Sequence, residues 1–357
     1  MKVIQVIPNL KLAGAEIMCE NLIYGLKKLG HDVTVISLYN NRTAITERLE
    51  NAGIDIRYLG KKKGLDLSII GKIKRVLIEK HPDVIHTHLY SAQYAIPAAV
   101  LAGVKHRVHT IHSVATNENG KIARRLNSFF FKHCNLIPVA LSGNIKQTVI
   151  EEYGLPPENI PIVFNGIDLS RCCVKESYSR KGNFKILHIG RFQEVKNHKG
   201  LIEAFAIFNE KFPDSELFMI GDGETRGAIE TIVKSKNLEN VVTFLGPQKN
   251  VHKYISQMDI FTLTSFYEGI PMTLIEAMGS GMPIVATNVG GISDMLDDKS
   301  ALLVSVDVNE IAAAYEKYYK DQKLRGIHGV SALNSANSFS SHEMSKKYVE
   351  IYGGMRK

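Results

Sequence analysis

The stretch Glu268-Gly269-Ile270-Pro271-Met272-Thr273-Leu274-Ile275-Glu276 places two carboxylates around a glycine, a proline and the start of a helical pattern. An apolar run of strand length ends near Thr264, so Glu268 falls in the loop beyond it. Pro271 suits the first turn of a helix, where its missing N–H costs nothing. The amides of Ile270, Met272, Thr273 and Leu274 are then expected at a helix N-terminus, where unpaired N–H groups and the helix dipole favour a phosphate. Glu276, about one turn inside, can accept hydrogen bonds from vicinal hydroxyls such as those of a ribose. Glu268, at the mouth of the loop, is placed to bind hydroxyls of whatever the phosphates carry. An isolated pair at this spacing is more often two solvated glutamates. The run of strand, glycine loop, proline and helix is much narrower than that.

A second segment, Gly190-Arg191-Phe-Gln-Glu-Val-Lys196-Asn-His, directly follows a strand-like run. Arg191 offers a planar fork for phosphate oxygens and Lys196 a mobile point charge. Together they can neutralise a departing diphosphate without a metal; two surface cations in a loop is the plainer alternative. A third segment, Lys11-Leu-Ala-Gly14-Ala-Glu16, lies between the first strand and first helix, and Gly14 lets backbone approach a phosphate or sugar. It is not G-x-G-x-x-G, so the dinucleotide fingerprint fails. Gly221-Asp-Gly223 follows another strand and reads better as a tight strand-to-helix turn. His86, His88, His109 and His112 gather at strand ends. The H-x-H pair suggests a metal, yet alternate residues of a strand simply point the same way. His112 reads as a residue reaching a substrate hydroxyl, or as a packed, hydrogen-bonded histidine. No D-x-D pair occurs in the sequence, which argues against a metal-dependent scheme.

These segments need a scaffold, and the apolar pattern supplies one twice. Strands are expected at 2–8, 32–38, 54–59, 83–88, 107–112 and 139–142, with a helical pattern between the first two. The pattern restarts with strands at 184–190, 215–221, 241–246, 259–264 and 283–287. Helices are expected at 201–212 and near 225–237, 250–257 and 272–280. Continuous Val/Ile-rich strands alternating with helices imply parallel sheets covered on both faces, an α/β class of two doubly wound, Rossmann-like domains. The expected division is 1–168, a linker at 169–183, 184–340, and a C-terminal helix at 341–357 crossing back. In open α/β sheets ligands bind at the carboxyl ends of strands near the topological switch point, so a cleft between two such domains is the expected site.

The 357 residues suit two domains, and 45% hydrophobic with 22% charged residues is ordinary for a globular chain. Residues 1–168 hold 21 Lys+Arg against 14 Asp+Glu, whereas the remainder holds 23 against 22. A basic first half beside a balanced second half implies an anionic partner: nucleic acid, an anionic membrane face or phosphate-bearing substrates. Lys61-Lys-Lys63 with Lys72, Lys74 and Arg75 form one basic cluster. Lys121, Arg124 and Arg125 with Phe129-Phe-Phe131 form another that mixes cations with exposed-looking aromatics, as interfacial helices do. The alternative is a core phenylalanine cluster beside solvated cations. The four cysteines, Cys19, Cys134, Cys172 and Cys173, have neither C-x-x-C nor zinc spacing, so no disulfide framework or metal site is expected. MKVIQVIPNL lacks the length of a signal peptide, and the longest apolar stretch falls short of the ~20 residues that span a bilayer. A cytoplasmic protein, peripheral at most on the inner face of the membrane, is expected.

The sequence resembles the retaining glycosyltransferases of family 4, of GT-B fold. The resemblance runs nearly end to end through AGAE, TIHS, FNGID, GRFQEVKN, IGDGETR, FLGPQKNV and YEGIPMTLIEAMGSGMPIVAT. One departure is Ala13, where the family often has a second glycine beside Gly14. The resemblance implies that Glu276 holds the ribose, and that Glu268 with the 269–274 backbone holds the donor sugar. It implies that Arg191 and Lys196 stabilise the diphosphate and that Gly14 contacts phosphate or sugar. His112 would bind a donor hydroxyl near the reacting carbon, and Lys249, Asn250 and Val251 would meet the base through backbone atoms. It further implies a nucleotide-sugar donor, UDP-linked as a first expectation, and a glycan or lipid-linked saccharide acceptor, as in cell-surface polysaccharide synthesis. Neither a metal cofactor nor nucleic acid is expected. A GT-B-like nucleotide-sugar epimerase, a nicotinamide oxidoreductase and a non-catalytic nucleotide-sugar-binding protein are the rival readings.

Overall fold

The computed structural model describes residues 1–354 apart from Leu12, Asn119, Lys181 and Lys249, with backbone alone at 117 and 118. The chain divides into two compact units: Met1–Ile167 together with the chain from Ser340 onward, and Asp168–Phe339.

The first unit is built on β1 (Lys2–Ile7), β2 (Asp32–Ser37), β3 (Asp55–Tyr58), β4 (Val84–His88), β5 (His106–Ile111) and β6 (Leu136–Ala140). They pair in parallel in the order β3-β2-β1-β4-β5-β6. Both faces are covered. Val3, Ile7 and Val35 meet the helix Gly14–Lys28 through Met18, Leu22 and Leu26. Ile4, Val6 and Ile36 meet the helices Ser68–Lys80 and Ala92–Leu101 on the other side. Burial on both faces is why these strands read as unbroken Val/Ile runs. The C-terminal helix Ser341–Tyr352 returns to this unit, burying Met344, Tyr348, Ile351 and Tyr352 in the first of these cores.

The second unit repeats the plan with β7 (Phe184–Ile189), β8 (Ser215–Ile220), β9 (Val242–Gly246), β10 (Ile260–Leu263), β11 (Ile284–Thr287) and β12 (Leu302–Val304). Their order is β12-β11-β10-β7-β8-β9. The three-residue β12 and the helices Val308–Lys320 and Gln322–Ala336 extend the expected pattern. Residues 169–183 belong to this unit and are tied to it: Tyr178 Oη donates to Gly281 O at 2.9 Å and Lys175 Nζ to Met258 O at 2.6 Å.

The aromatic-basic segment divides between its two readings. Within the helix Lys121–His133, Phe130 and Phe131 are core residues at 6% and 9% exposure, and only Phe129, at 55%, faces solvent. Helical periodicity separates three adjacent phenylalanines by about 100° each, so they cannot share a face.

Candidate functional site

In the second unit the chain starts at β7, winds outward to β8 and β9 on one side, then crosses to β10, β11 and β12 on the other. The loops after β7 and β10 therefore diverge at neighbouring carboxyl ends, the switch point where such sheets bind ligands. The loop after β7 carries Arg191 and Lys196. Its base is fixed by Phe192, fully buried and stacked on His198 at 4.2 Å and 6°. His188 hydrogen-bonds Thr262 O at 3.1 Å and His198 at 3.2 Å. Burial, reinforced by the Lys196 charge, lowers His198 to about 4, and His188 is also held well below the usual histidine range. Asn197 closes the loop in the left-handed conformation (φ 52°) and caps the helix His198–Lys211 by accepting from Gly200 N. Its amide also donates to Thr264 O at 3.1 Å, and Phe266 N donates to Val195 O at 2.8 Å, so the two loops are stitched together.

The loop after β10 leads into the helix Met272–Gly279, with Pro271 as its extended N-cap. Helix geometry leaves the amides of Met272 and Thr273 without intrahelical acceptors. Leu274 departs from the expected set: its N–H is spent on Pro271 O at 3.1 Å. Glu268 is also less open than its place in the sequence suggests. It is 6% exposed, takes Lys196 Nζ at 2.6 and 2.8 Å, and accepts from Ser265 Oγ at 2.5 Å. Its carbonyl accepts Gly291 N at 3.0 Å, and a Cβ at Gly290 (φ 57°) would stand 1.8 Å from that same oxygen. Gly269 is matched in the same way: a Cβ at Gly291 would lie 2.2 Å from its carbonyl. The Gly290-Gly291 pair thus forms the seat of the loop. Gly221 does the same for the other loop, since its Cβ would lie 2.0 Å from Gly190 O. The G-D-G segment is accordingly a close-packed turn.

Glu276 lies on the helix beyond. Part of its surface reaches solvent, yet burial raises its carboxyl to about 7, opposed by the charge of Arg171. The Arg171 charge acts on His252 as well, so the segment around 250–252 and Glu276 feel the same cation. In that segment Asn250 is exposed and Val251 is the N-cap of the short helix His252–Ile255. Lys249 lies outside the described residues. Leu169 and Cys172 back the helix at Gly279, where an added Cβ would approach within 2.8 and 2.9 Å.

In the first unit Gly14 is the exposed first residue of the helix Gly14–Lys28, and a Cβ there would meet nothing within 4 Å among the described residues. No packing demand among the described residues explains that glycine. His112, half-buried at the end of β5, is 3.0 Å from His88 Nδ1 through its Nε2. Both nitrogens of His86 and of His88 are engaged by Tyr352, Thr110, Gln5 and His112, which accounts for the H-x-H pair. Among the described residues no cluster of three metal-ligating side chains occurs.

Two family models match the chain: Glycosyltransferase Family 4 over residues 12–171 and Glycosyl transferases group 1 over 174–329. The chain belongs to glycosyltransferase family 4. The enzyme is 28% identical to N-acetyl-alpha-D-glucosaminyl L-malate synthase of Bacillus anthracis, covering 80% of this chain and 78% of the relative. It is 26% identical to UDP-Gal:alpha-D-GlcNAc-diphosphoundecaprenol alpha-1,3-galactosyltransferase of Escherichia coli, again over 80% and 78%. The fold matches Anabaena HepE, solved with UDP and glucose, at a TM-score of 0.84 with 18% identity, covering 99% of this chain and 100% of that one. The fold is therefore GT-B, and membership answers the rival readings in favour of transfer.

Several residues of the glycosyltransferase that shape this site escaped the sequence reading. Ser265, Asn197 and the Gly290-Gly291 pair hold the two loops, and the charge of Arg171 acts on Glu276. The glycine doublet two residues beyond β11 was the available signal, since paired glycines in a loop at a strand end mark a close backbone approach.

Proposed function

We propose that this glycosyltransferase moves a sugar from a UDP-linked donor to a glycan or lipid-linked saccharide acceptor, with retention and without a metal, as in cell-surface polysaccharide synthesis. One observation carries the reading: Arg191 and Lys196 stand on a loop stitched to the one that opens the helix Met272–Gly279. Negative charge grows on the diphosphate as the bond from sugar C1 to the phosphate oxygen breaks. Fixed cations and helix-end amides stabilise that charge more in the transition state than before it. The acceptor oxygen bonds to C1 on the same face and its proton passes to the leaving phosphate oxygen. Glu276 takes the ribose hydroxyls, Glu268 the donor sugar, and the 250–251 backbone the base; Gly14 and His112 contact phosphate and sugar. The Escherichia coli relative's name gives a UDP-galactose donor and a diphosphoundecaprenol acceptor, and HepE was solved with UDP, which supports both classes here. The test is a thermal-shift screen of nucleotide sugars, since a ligand bound only to the native state raises its melting point. NMR of the anomeric proton then follows transfer with and without EDTA. An inverted product, or activity abolished by EDTA, would overturn the mechanism.

The same reading includes docking of the first unit on an anionic membrane face. Ile122, Leu126 and Phe129 expose one apolar stripe on the helix Lys121–His133, at 78%, 42% and 55%. Lys121, Arg125 and Lys132 are exposed beside it, and the helix has no acidic residue. Cations flanking an apolar stripe suit a helix lying in the interface. No helix among the described residues is long and apolar enough to cross a membrane. Co-sedimentation with anionic vesicles, lost in Phe129→Asp, is expected; no binding by the wild type would remove this element.

A further inference from the structure

We infer that Gln5 and Tyr352 are positioning residues for His112, fixing through His88 which of its ring nitrogens carries the proton. This rests on the proposal that His112 meets the donor sugar, although the measurement below does not.

Gln5, His86, His88, Thr110, Tyr348 and Tyr352 are all essentially buried, at 0–1% exposure, so their hydrogen bonds must be satisfied by one another. The Gln5 amide turns Oε1 to His88 Nε2 at 2.8 Å and Nε2 to the Tyr352 hydroxyl at 3.1 Å. An amide oxygen only accepts and an amide N–H only donates. His88 Nε2 therefore carries a proton. Burial, with the neighbouring imidazoles, holds His88 well below the usual histidine range, so the ring is neutral and its Nδ1 is a lone pair. His112 Nε2, 3.0 Å from that lone pair, must donate. A neutral His112 is thus the Nε2–H tautomer, and its acceptor is Nδ1.

The other end of the amide orders a second branch. The Tyr352 oxygen accepts from Gln5, so its proton goes to His86 Nδ1 at 2.7 Å. His86 Nε2 then donates to Thr110 Oγ1 at 2.7 Å, which in turn meets Tyr348 Oη at 2.7 Å. Reversing either bond of His88 alone sets two donors or two lone pairs face to face, whereas the Thr110 and Tyr348 hydroxyls can exchange roles. The whole chain reverses only if the Gln5 amide turns over. Tyr348 and Tyr352 both lie on the helix Ser341–Tyr352, so the last helix of the chain takes part in ordering protons at a residue at the end of β5. The consequence is directional: the Nδ1 of a neutral His112 can only accept, from whatever group meets it.

The test is long-range proton–nitrogen NMR on the full chain with 15N-labelled histidine, in mildly alkaline buffer. The expected result is a pyrrole-like shift for Nε2 and a pyridine-like shift for Nδ1 in both His88 and His112. Tyr352→Phe keeps the ring but removes what holds the amide, so the two His112 shifts should collapse toward their mean. Gln5→Leu should do the same. Wild-type His112 found as the Nδ1–H tautomer overturns the inference, as do unchanged shifts in both variants. Should Gln5→Leu fail to fold, the wild type and Tyr352→Phe still decide. His112→Ala transferring sugar at the wild-type rate would sink the sugar contact and leave the tautomer result standing.

Discussion

Lys196 Nζ lies 2.6 and 2.8 Å from the two carboxylate oxygens of Glu268, so a cation assigned to the diphosphate and an acid assigned to the sugar hold each other. Ser265 Oγ supplies a third bond to the same carboxylate. The pair presets both side chains on stitched loops before any donor binds. It also means that neither residue can be removed without disturbing the other.

Lys196→Ala is expected to cost about 3 kcal/mol of stability as well as turnover, because it strands a buried carboxylate. Lys196→Ala combined with Glu268→Gln should recover most of that stability and none of the rate. Chemical denaturation and transfer assays on the three proteins check this. A double variant as unstable as the single one would show that charge is not what the pair contributes.

Arg191 gives the cleaner test of leaving-group stabilisation. It is exposed, so Arg191→Ala should move stability by no more than about 0.5 kcal/mol. Loss of one preorganised cation at the developing charge should lower kcat about a hundredfold. Wild-type transfer rates in this variant would refute the assignment.

What the sequence made legible was local. Glu268, Pro271 and Glu276 lie within one strand-loop-helix unit, and Arg191 and Lys196 within one loop, so spacing alone located them. The ion pair joining the loops spans 72 residues, and no period or spacing encodes such a contact. The Leu274 amide differs from the expected set for a related reason: whether a first-turn N–H bonds back to the N-cap depends on local geometry that residue types leave open. The cationic neighbours of Phe129-Phe-Phe131 left surface and core readings open in sequence, and helical phase divides them, turning Phe130 and Phe131 inward and Phe129 out. Tyr348 and Tyr352 carried no signal in sequence, since a tyrosine at helical spacing looks the same whether it fills a core or orders a histidine.

Gly14→Ala separates fold from ligand contact. A methyl group there meets no atom of the described residues within 4 Å, and alanine is the better helix former. The melting temperature should be unchanged or slightly higher. Donor KM should rise, because the methyl group stands where phosphate or sugar would approach the helix end. Unaltered kinetics would remove Gly14 from the donor site.

Glu276 predicts a pH dependence with a definite sign. Burial raises its carboxyl from the ordinary 4.5 to about 7, so between these values the folded chain holds a proton that the unfolded chain releases. Its contribution to stability is therefore full below pH 4.5 and is lost as pH rises through about 7. Ribose hydroxyls donate to the ionised carboxylate, so UDP binding should favour that form and release a proton below about pH 7. Affinity should fall as the pH drops below that point, at most about tenfold per pH unit. Calorimetry at acidic pH in buffers of different protonation enthalpy measures the released proton directly. Glu276→Gln carries whatever the nucleotide's own phosphate contributes. A wild-type pH profile superimposable on that of the variant would show that Glu276 does not receive the ribose.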